Sequence, residues 1–422
     1  MILLSLDAHG NLTRRHFLQV AGASVAGAGF LGQISLHADE LKKNGRACIL
    51  VWLGGAPSQM ELWDPKPGTA NGGETKAIDT AVSGIKIAHF WPKVAQRMKD
   101  VALLRTIVGK EAAHERGAYH LHTGRRLTGA SRHPNFGSVV AHEIGDPKSD
   151  MPNFVSVGST LSSGFLGVQF APFEVSRPGE LPENVAKPVG DDRLSRRLAL
   201  LDSQNKDFAK TGAEKLVQER QTLYERANKL VNSPRLKAFQ LDGEKDETKT
   251  AYGAGKFGQG LLVARRLVES GIPFVEVQRG GWDMHTDLYD RIKPAAAEVD
   301  QGLSQLLIDL KQRELLAKTL VICMGEFGRT PKLNSRGGKP GRDHWARNFN
   351  VLLAGGGIKG GQAIGKTSDN GQEITDRPLS VDDLFQSFCK AMTIDAGKEL
   401  YTPEGRPLKI VDGGQPVKEL FA

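Results

Sequence analysis

Three cysteines, Cys48, Cys323 and Cys389, in a chain of 422 residues are too few for a dense disulfide framework. The first two fall in apolar strand-like runs and the third in a helix-like one, so three buried thiols are expected. Aromatic residues make up only 6% of the chain, and they form no basic-aromatic stripe, so nucleic acid is not expected as a partner. No apolar run is long enough for a stable transmembrane span: the stretch 20–36 is short and is interrupted by Gly22, Gly27, Gly29 and Gly32. Internal repeats and low-complexity tracts are absent too. What is left is a chain of 39% hydrophobic and 25% charged residues, the composition of a globular protein with a sizeable core. Its formal net charge of +8, spread along the chain, favours anionic substrates or surfaces.

The N-terminus reads Thr13-Arg14-Arg15-His16-Phe17-Leu18, then the Gly/Ala-rich stretch, then a polar run from Asp39. Paired arginines, a following Phe-Leu and a weak apolar segment, in that order, form the pattern of a twin-arginine export signal. Residues 1–38 are therefore expected to be a signal segment and residues 39–422 a single domain. The twin-arginine translocase is the expected partner during export, and the periplasm or the exterior is the expected location. That route carries proteins already folded, which favours a metal or another inserted group.

Short apolar runs bounded by Gly, Pro or charge predict strands at 47–53, 101–108, 154–157, 272–277, 320–324 and 349–354. Helix-like segments lie between them at 90–98, 258–270, 295–316 and 380–392, the last opened by Ser380 as N-cap. Strands alternating with helices predict an α/β fold, a mostly parallel sheet with helices on both faces and functional residues at its C-terminal edge. Residues 191–250 break the alternation. Dense in Lys, Arg, Glu and Gln, with Leu198, Leu201, Leu216, Leu223 and Leu230 at helical spacing, they predict a helical insertion on the sheet or over its edge. A flexible Gly-rich passage at 252–260 is expected to return the chain to the alternating pattern.

Four segments carry residues suited to chemistry. Gly281-Trp282-Asp283-Met284-His285 follows an apolar strand, and a carboxylate and an imidazole two residues apart can converge on one cation. The same pair also reads as a helix cap and a groove-filling histidine. Met324-Gly325-Glu326-Phe327-Gly328-Arg329 again ends a strand; Glu326 there suits a metal and Arg329 an anionic substrate. Gly341-Arg342-Asp343-His344-Trp345 precedes the strand at 349. Finally, three of the 11 histidines, His114, His120 and His122, fall within residues 114–126. On a helix His114 and His122 point roughly the same way and His120 away from both, so one or two of them are expected to reach the site. Gly360-Gly361-Gln362-Ala363-Ile364-Gly365-Lys366-Thr367 matches the phosphate-loop pattern, but turn sequence follows where that pattern needs a helix. Gly54-Gly55-Ala56-Pro57-Ser58 has the wrong glycine spacing for a nucleophile elbow and predicts a tight turn after the first strand.

On these motifs, together with residues 13–18 and 51–58, the chain resembles the family of unknown function numbered 1501, which is sulfatase-like within the alkaline phosphatase superfamily. The resemblance covers nearly the whole chain. It implies an alkaline phosphatase-like fold with one or two divalent cations held at the strand ends by Asp, His and Glu. It also implies a Ser, Thr or modified Cys that attacks a phosphate or sulfate ester. Carried over, Asp283 and His285 look like an Asp/His ligand pair. Glu326 stands where sulfatase-like enzymes have the Asp of an Asp-His-Gly turn, and His344 looks like the late histidine before a strand. Thr123-Gly124-Arg125 looks like the end of the helix that bears the sulfatase nucleophile. Counting back from it, the nucleophile position holds His114. Leu53 or Gly54 stands in place of the first-strand Asp, and Phe327 in place of the His of Asp-His-Gly.

Two readings follow. In the first, the protein is a metal-dependent hydrolase of phosphate or sulfate esters, acting on an anionic small molecule or glycan ester. Asp283, His285, Glu326 and His344 hold zinc or manganese, His114 is a further ligand or general acid, and Arg329 or Arg342 holds the anion. In the second, the fold is kept without catalysis, as a periplasmic binding or assembly protein for an anionic glycan or a protein partner.

Overall fold

The computed structural model describes residues 45–129, 132–183, 185, 191–210, 214–335 and 338–421. The arginine pair and the export segment therefore lie outside the described residues. Nine strands form one sheet: β1 (Ala47–Trp52), β2 (Val101–Val108), β3 (Phe154–Val157), β4 (Phe173–Val175), β5 (Phe274–Gln278), β6 (Thr319–Met324), β7 (Phe349–Ala354), β8 (Gln362–Ile364) and β9 (Leu379–Ser380). Their order is β8-β2-β7-β6-β1-β5-β3-β4, with β9 also paired to β2. Every pairing is parallel except those of β7, which runs antiparallel to β2 and β6. The sheet is thus mixed and mostly parallel.

Side chains alternate across a strand, so each strand feeds two cores. On β1, Ile49 and Val51 join one cluster while Cys48, Leu50 and Trp52 join the other. Helices α5 (Lys256–Glu269) and α6 (Leu288–Gln312) cover the first face. Helices α2 (Phe136–Glu143) and α7 (Val381–Ala391) cover the second. Burial on both faces is why these strands read as continuous apolar runs. All three cysteines are buried and free.

Ser380 caps α7 as its sequence implies. Its hydroxyl accepts from the Asp383 amide at 3.0 Å, and the Asp383 carboxylate accepts from the Ser380 amide at 2.9 Å, which satisfies two otherwise orphaned donors.

Elsewhere tertiary contacts override the local reading. The passage expected to be flexible at 252–260 is already helical from Lys256. Gly260 sits where a Cβ would press on Val277 and Val157 at 3.0 and 3.1 Å, so its small size serves close helix-to-sheet packing. Helix α6 starts at Leu288 and carries Pro294 inside it, seven residues earlier than the apolar pattern implies. Pro294 removes one internal hydrogen bond, a loss that the long buried face of α6 outweighs. The helix expected at 90–98 shrinks to Pro92–Ala95, with its N-terminus capped from afar: the Asp300 carboxylate of α6 accepts from the Lys93 and Val94 amides at 2.9 and 2.7 Å. Within 191–250 the chain forms α3 (Asp191–Phe208) and α4 (Glu214–Val231). The phosphate-loop look-alike is β8 and a further short strand, Lys366–Thr367, with no helix after it.

Candidate metal centre

The C-terminal ends of parallel strands share one edge, and that edge collects the site. From β2 the chain passes into α1 (His114–Thr123); from β5 it reaches Asp283 and His285; from β6 it reaches Glu326. Because β7 is antiparallel, the chain enters it at the same edge, just after His344. A short antiparallel pairing of Gly328–Arg329 with His344–Trp345 sets His344 opposite Arg329. Gly117 lets α1 lie close against this turn, since a Cβ there would meet the Phe327 ring at 2.7 Å.

Three histidines turn the same nitrogen inward. His285 Nδ1 bonds Asp343 Oδ1 at 2.8 Å, His344 Nδ1 bonds the Ala112 carbonyl at 2.7 Å, and His114 Nδ1 bonds Glu326 Oε1 at 2.7 Å. A carbonyl or carboxylate oxygen only accepts, so each Nδ1 is the donor and each ring turns its Nε2 toward the others. Their convergence point also holds the Asp283 carboxylate. His285 Nε2 is 3.1 Å from His344 Nε2 and 3.0 Å from Asp283 Oδ1. His344 Nε2 is 3.4 Å from Oδ1, and His114 Nε2 is 3.4 Å from Oδ2. His114 Nε2 is buried with no hydrogen-bond partner.

Donor atoms at ~2.0–2.1 Å from a tetrahedral cation are spaced by ~3.3 Å, close to the 3.0–3.4 Å of the pairs above. Ligand atoms of His114, Asp283 and His344 all lie within 4.8 Å of one another. The donor set of imidazoles plus one carboxylate fits zinc or manganese better than calcium.

Electrostatics favour a charged carboxylate at this point. Burial raises the Asp283 pKa, but the Arg329 hydrogen bond and charge, with His285 and His114, outweigh it and bring the carboxyl to about 2. The hydrogen bond that His114 donates to Glu326 raises the His114 pKa against burial, whereas burial lowers that of His344.

Several expected roles change. Glu326, expected as a direct metal ligand, accepts from both His114 and the Gly55 amide (2.9 Å) through Oε1, while its Oε2 is buried with no hydrogen-bond partner. Arg342, expected to hold an anion, is fully buried with every donor engaged inside the protein. It bonds both Glu61 oxygens at 2.8 and 2.9 Å, the Asn71 carbonyl at 2.7 Å and the carbonyls of Thr330 and Pro331. Arg329 is likewise 2% exposed, and its guanidinium goes to Asp283, to the carbonyls of Gly55, Ala56 and Arg342, and to His285 Nε2 at 3.4 Å. It is a fixed positive charge beside Asp283 with no donor free for a substrate.

Of the three clustered histidines, His114 reaches the centre. His122 lies beneath it, donating to the Ala118 carbonyl (2.8 Å) and to Glu276 (3.1 Å); burial lowers its pKa, but Glu276 outweighs burial and the net direction is up. The reading of residue types did not single out Asp343 or Glu61. Asp343 could have been found from its place beside His344, but nothing local marks Glu61.

His120 is buried with an unpartnered Nδ1, and burial lowers its pKa to about 4. A histidine whose folded pKa lies below its unfolded value of ~6.5 costs stability as pH falls between the two, up to ~3 kcal/mol for this shift. Urea melts of wild type and His120→Gln should therefore converge in the variant's favour by about that amount between pH 7.5 and 4. A constant gap across that range would mean that the folded His120 protonates freely.

The profile of the family described as "Protein of unknown function (DUF1501)" matches residues 45–421. No curated protein matches the chain. Among solved structures, similarity is found to a phosphonate monoester hydrolase of Agrobacterium radiobacter (12% identity, 89% of this chain and 77% of that one, TM-score 0.43). It is also found to the PsFucS1 sulfatase from Pseudoalteromonas sp. (13% identity, 87% and 72%, TM-score 0.39). A third is alkaline phosphatase from the Antarctic bacterium TAB5 (12% identity, 84% and 99%, TM-score 0.35).

Proposed function

Since this chain belongs to the DUF1501 family, we propose from its own geometry that it is a metal-dependent hydrolase of phosphate or sulfate esters. It works outside the cytoplasm after twin-arginine export. The observation that carries this reading is the inward convergence of three imidazole Nε2 atoms on one carboxylate, each ring locked by an acceptor on its far side. His114, Asp283 and His344 would hold zinc or manganese, with His285 completing the set. A divalent cation bound there would act as a Lewis acid toward an ester oxygen and lower the pKa of water.

The protein's own groups divide the remaining work. Glu326 and Asp343 orient His114 and His285, a far-side support that raises ligand basicity. Arg329 holds Asp283 ionised and adds fixed positive charge near the incoming anion. Asp283 and His114 keep 43% and 38% of their side-chain surface exposed, enough for an ester to approach. With His114 at the nucleophile position and the three thiols buried, solvent water is the nucleophile this reading requires.

Turnover of 4-nitrophenyl phosphate and 4-nitrophenyl sulfate by the zinc- or manganese-loaded protein tests the proposal. Asp283→Asn is expected to lower it by at least about 100-fold. Stoichiometric metal in a wild type that cleaves neither ester, nor a phosphonate ester, would sink the hydrolase. It would support the second reading, a periplasmic protein that binds an anionic glycan or a partner, which the absence of a side-chain nucleophile favours.

A further inference from the structure

A cavity of about 290 Å³ lies at the opposite edge of the sheet from the metal centre, where Phe154 and Phe173 begin β3 and β4. It is closed on one side by α4. Its walls include Met151, Phe154, Phe170, Phe173, Leu223 and Leu230, and its size is near the lower end of pockets that take small molecules, ~300 Å³. At the lip, Val168 and Leu223 leave 36% and 41% of their surface in water, an apolar rim that folding has not covered.

Arg226 is the one cation in this lining. One of its amino groups donates to the Gln169 carbonyl, and no carboxylate pairs with it among the described residues. Burial alone lowers its pKa. The two acids of the lining are engaged elsewhere: Asp150 takes Arg235 and the Ser233 hydroxyl, and Asp146 accepts from the Lys148 amide at 2.8 Å. A half-buried, uncompensated guanidinium at an apolar cleft is complementary to one kind of molecule, with an apolar body and a single negative charge.

We propose that this cavity binds a soluble amphiphile with one medium-length alkyl chain and one anionic head group, the chain lying among Phe154, Phe170 and Phe173 and the head on Arg226. Carboxylate, sulfate and phosphate heads share the required chemistry. The site is separate from the metal centre, so its occupancy does not depend on whether that centre hydrolyses esters.

Titration calorimetry of the full chain with decanoate tests this, with decan-1-ol as the uncharged control. Decanoate is expected to bind, and Arg226→Gln to weaken it by about tenfold or more while leaving decanol unchanged, as loss of a charge-assisted contact implies. Ala227→Trp, which fills the cleft from its exposed side, should abolish binding of both, and Asp283→Asn should alter neither. Thermal melts establish that each variant is folded; should Arg226→Gln fail to fold, Arg226→Lys serves, with binding retained within a few-fold. The proposal is overturned if folded wild type does not bind decanoate, or if decanoate and decanol bind equally. It is equally overturned if only vesicles of anionic phospholipid bind, or if the cleft proves to be the seam of a dimer that Ala227→Trp dissociates.

Discussion

Asp283→Ala protein, purified beside the wild type and dialysed against metal-free buffer, is expected to retain less than about a tenth of the wild-type zinc or manganese by plasma mass spectrometry. The argument rests on repulsion as much as on attraction. Three rings present their Nε2 atoms to one another within the same small space, and the Asp283 carboxylate adds a negative charge. Arg329 offsets part of it through Asp283 and His285 Nε2, and a bound cation would relieve the rest. Removing the Asp283 carboxylate takes away the anionic donor that the three rings share among the described residues. Glu326→Gln and Asp343→Asn should act more gently, at about 10–100-fold in metal affinity, because each loosens a ring without removing a ligand. Binding also stabilises the folded state, by ~2.7 kcal/mol at a free metal concentration 100 times Kd, so chelator should lower the wild-type melting temperature and leave Asp283→Ala unmoved. A wild type that emerges metal-free and melts identically in chelator would remove the basis for the proposed centre.

The second large effect concerns stability. Arg342→Met is expected to destabilise the protein by about 3–5 kcal/mol in urea melts at pH 7, since it strands Glu61 as a buried charge. Both residues are 0% exposed, and their paired hydrogen bonds are supplemented by the Thr75 hydroxyl on Glu61 at 2.9 Å. Glu61→Gln should cost a similar amount for the reciprocal reason. The double variant Glu61→Leu with Arg342→Met should recover most of the loss, because no lone charge then remains. The metal centre should feel the single substitutions too. The Arg342 backbone amide donates to the Met284 carbonyl at 3.1 Å and its backbone carbonyl accepts from Arg329, so a main-chain shift on losing the buried side-chain anchor would reach the Asp283 loop and the His344 strand. Single variants within about 1 kcal/mol of wild type would show that the pair is hydrated or otherwise compensated.

How far these features can be read from the order of residues depends on the range of the force concerned. Runs such as Ala47 to Trp52 and Phe349 to Ala354 announce buried strands because both faces are covered, and Ser380 announces its helix because a cap acts within one turn. Pro294 inside α6 and the four-residue helix at Pro92 were illegible. The first is tolerated because of packing, and the second is capped by Asp300, 207 residues away. The clustering of Asp283, His285, Glu326 and His344 near strand ends was visible as residue type and position.

Their division of labour was not. That Glu326 also supports a histidine follows from a contact with His114 across 212 residues, and the burial of Arg342 from a carboxylate 281 residues earlier. Apolar periodicity, caps and the kinds of donor available act over a few residues and are therefore written locally. Which nitrogen of a ring turns inward, and which arginine is left free to meet an anion, depend on partners that the closing of the sheet brings within hydrogen-bond reach.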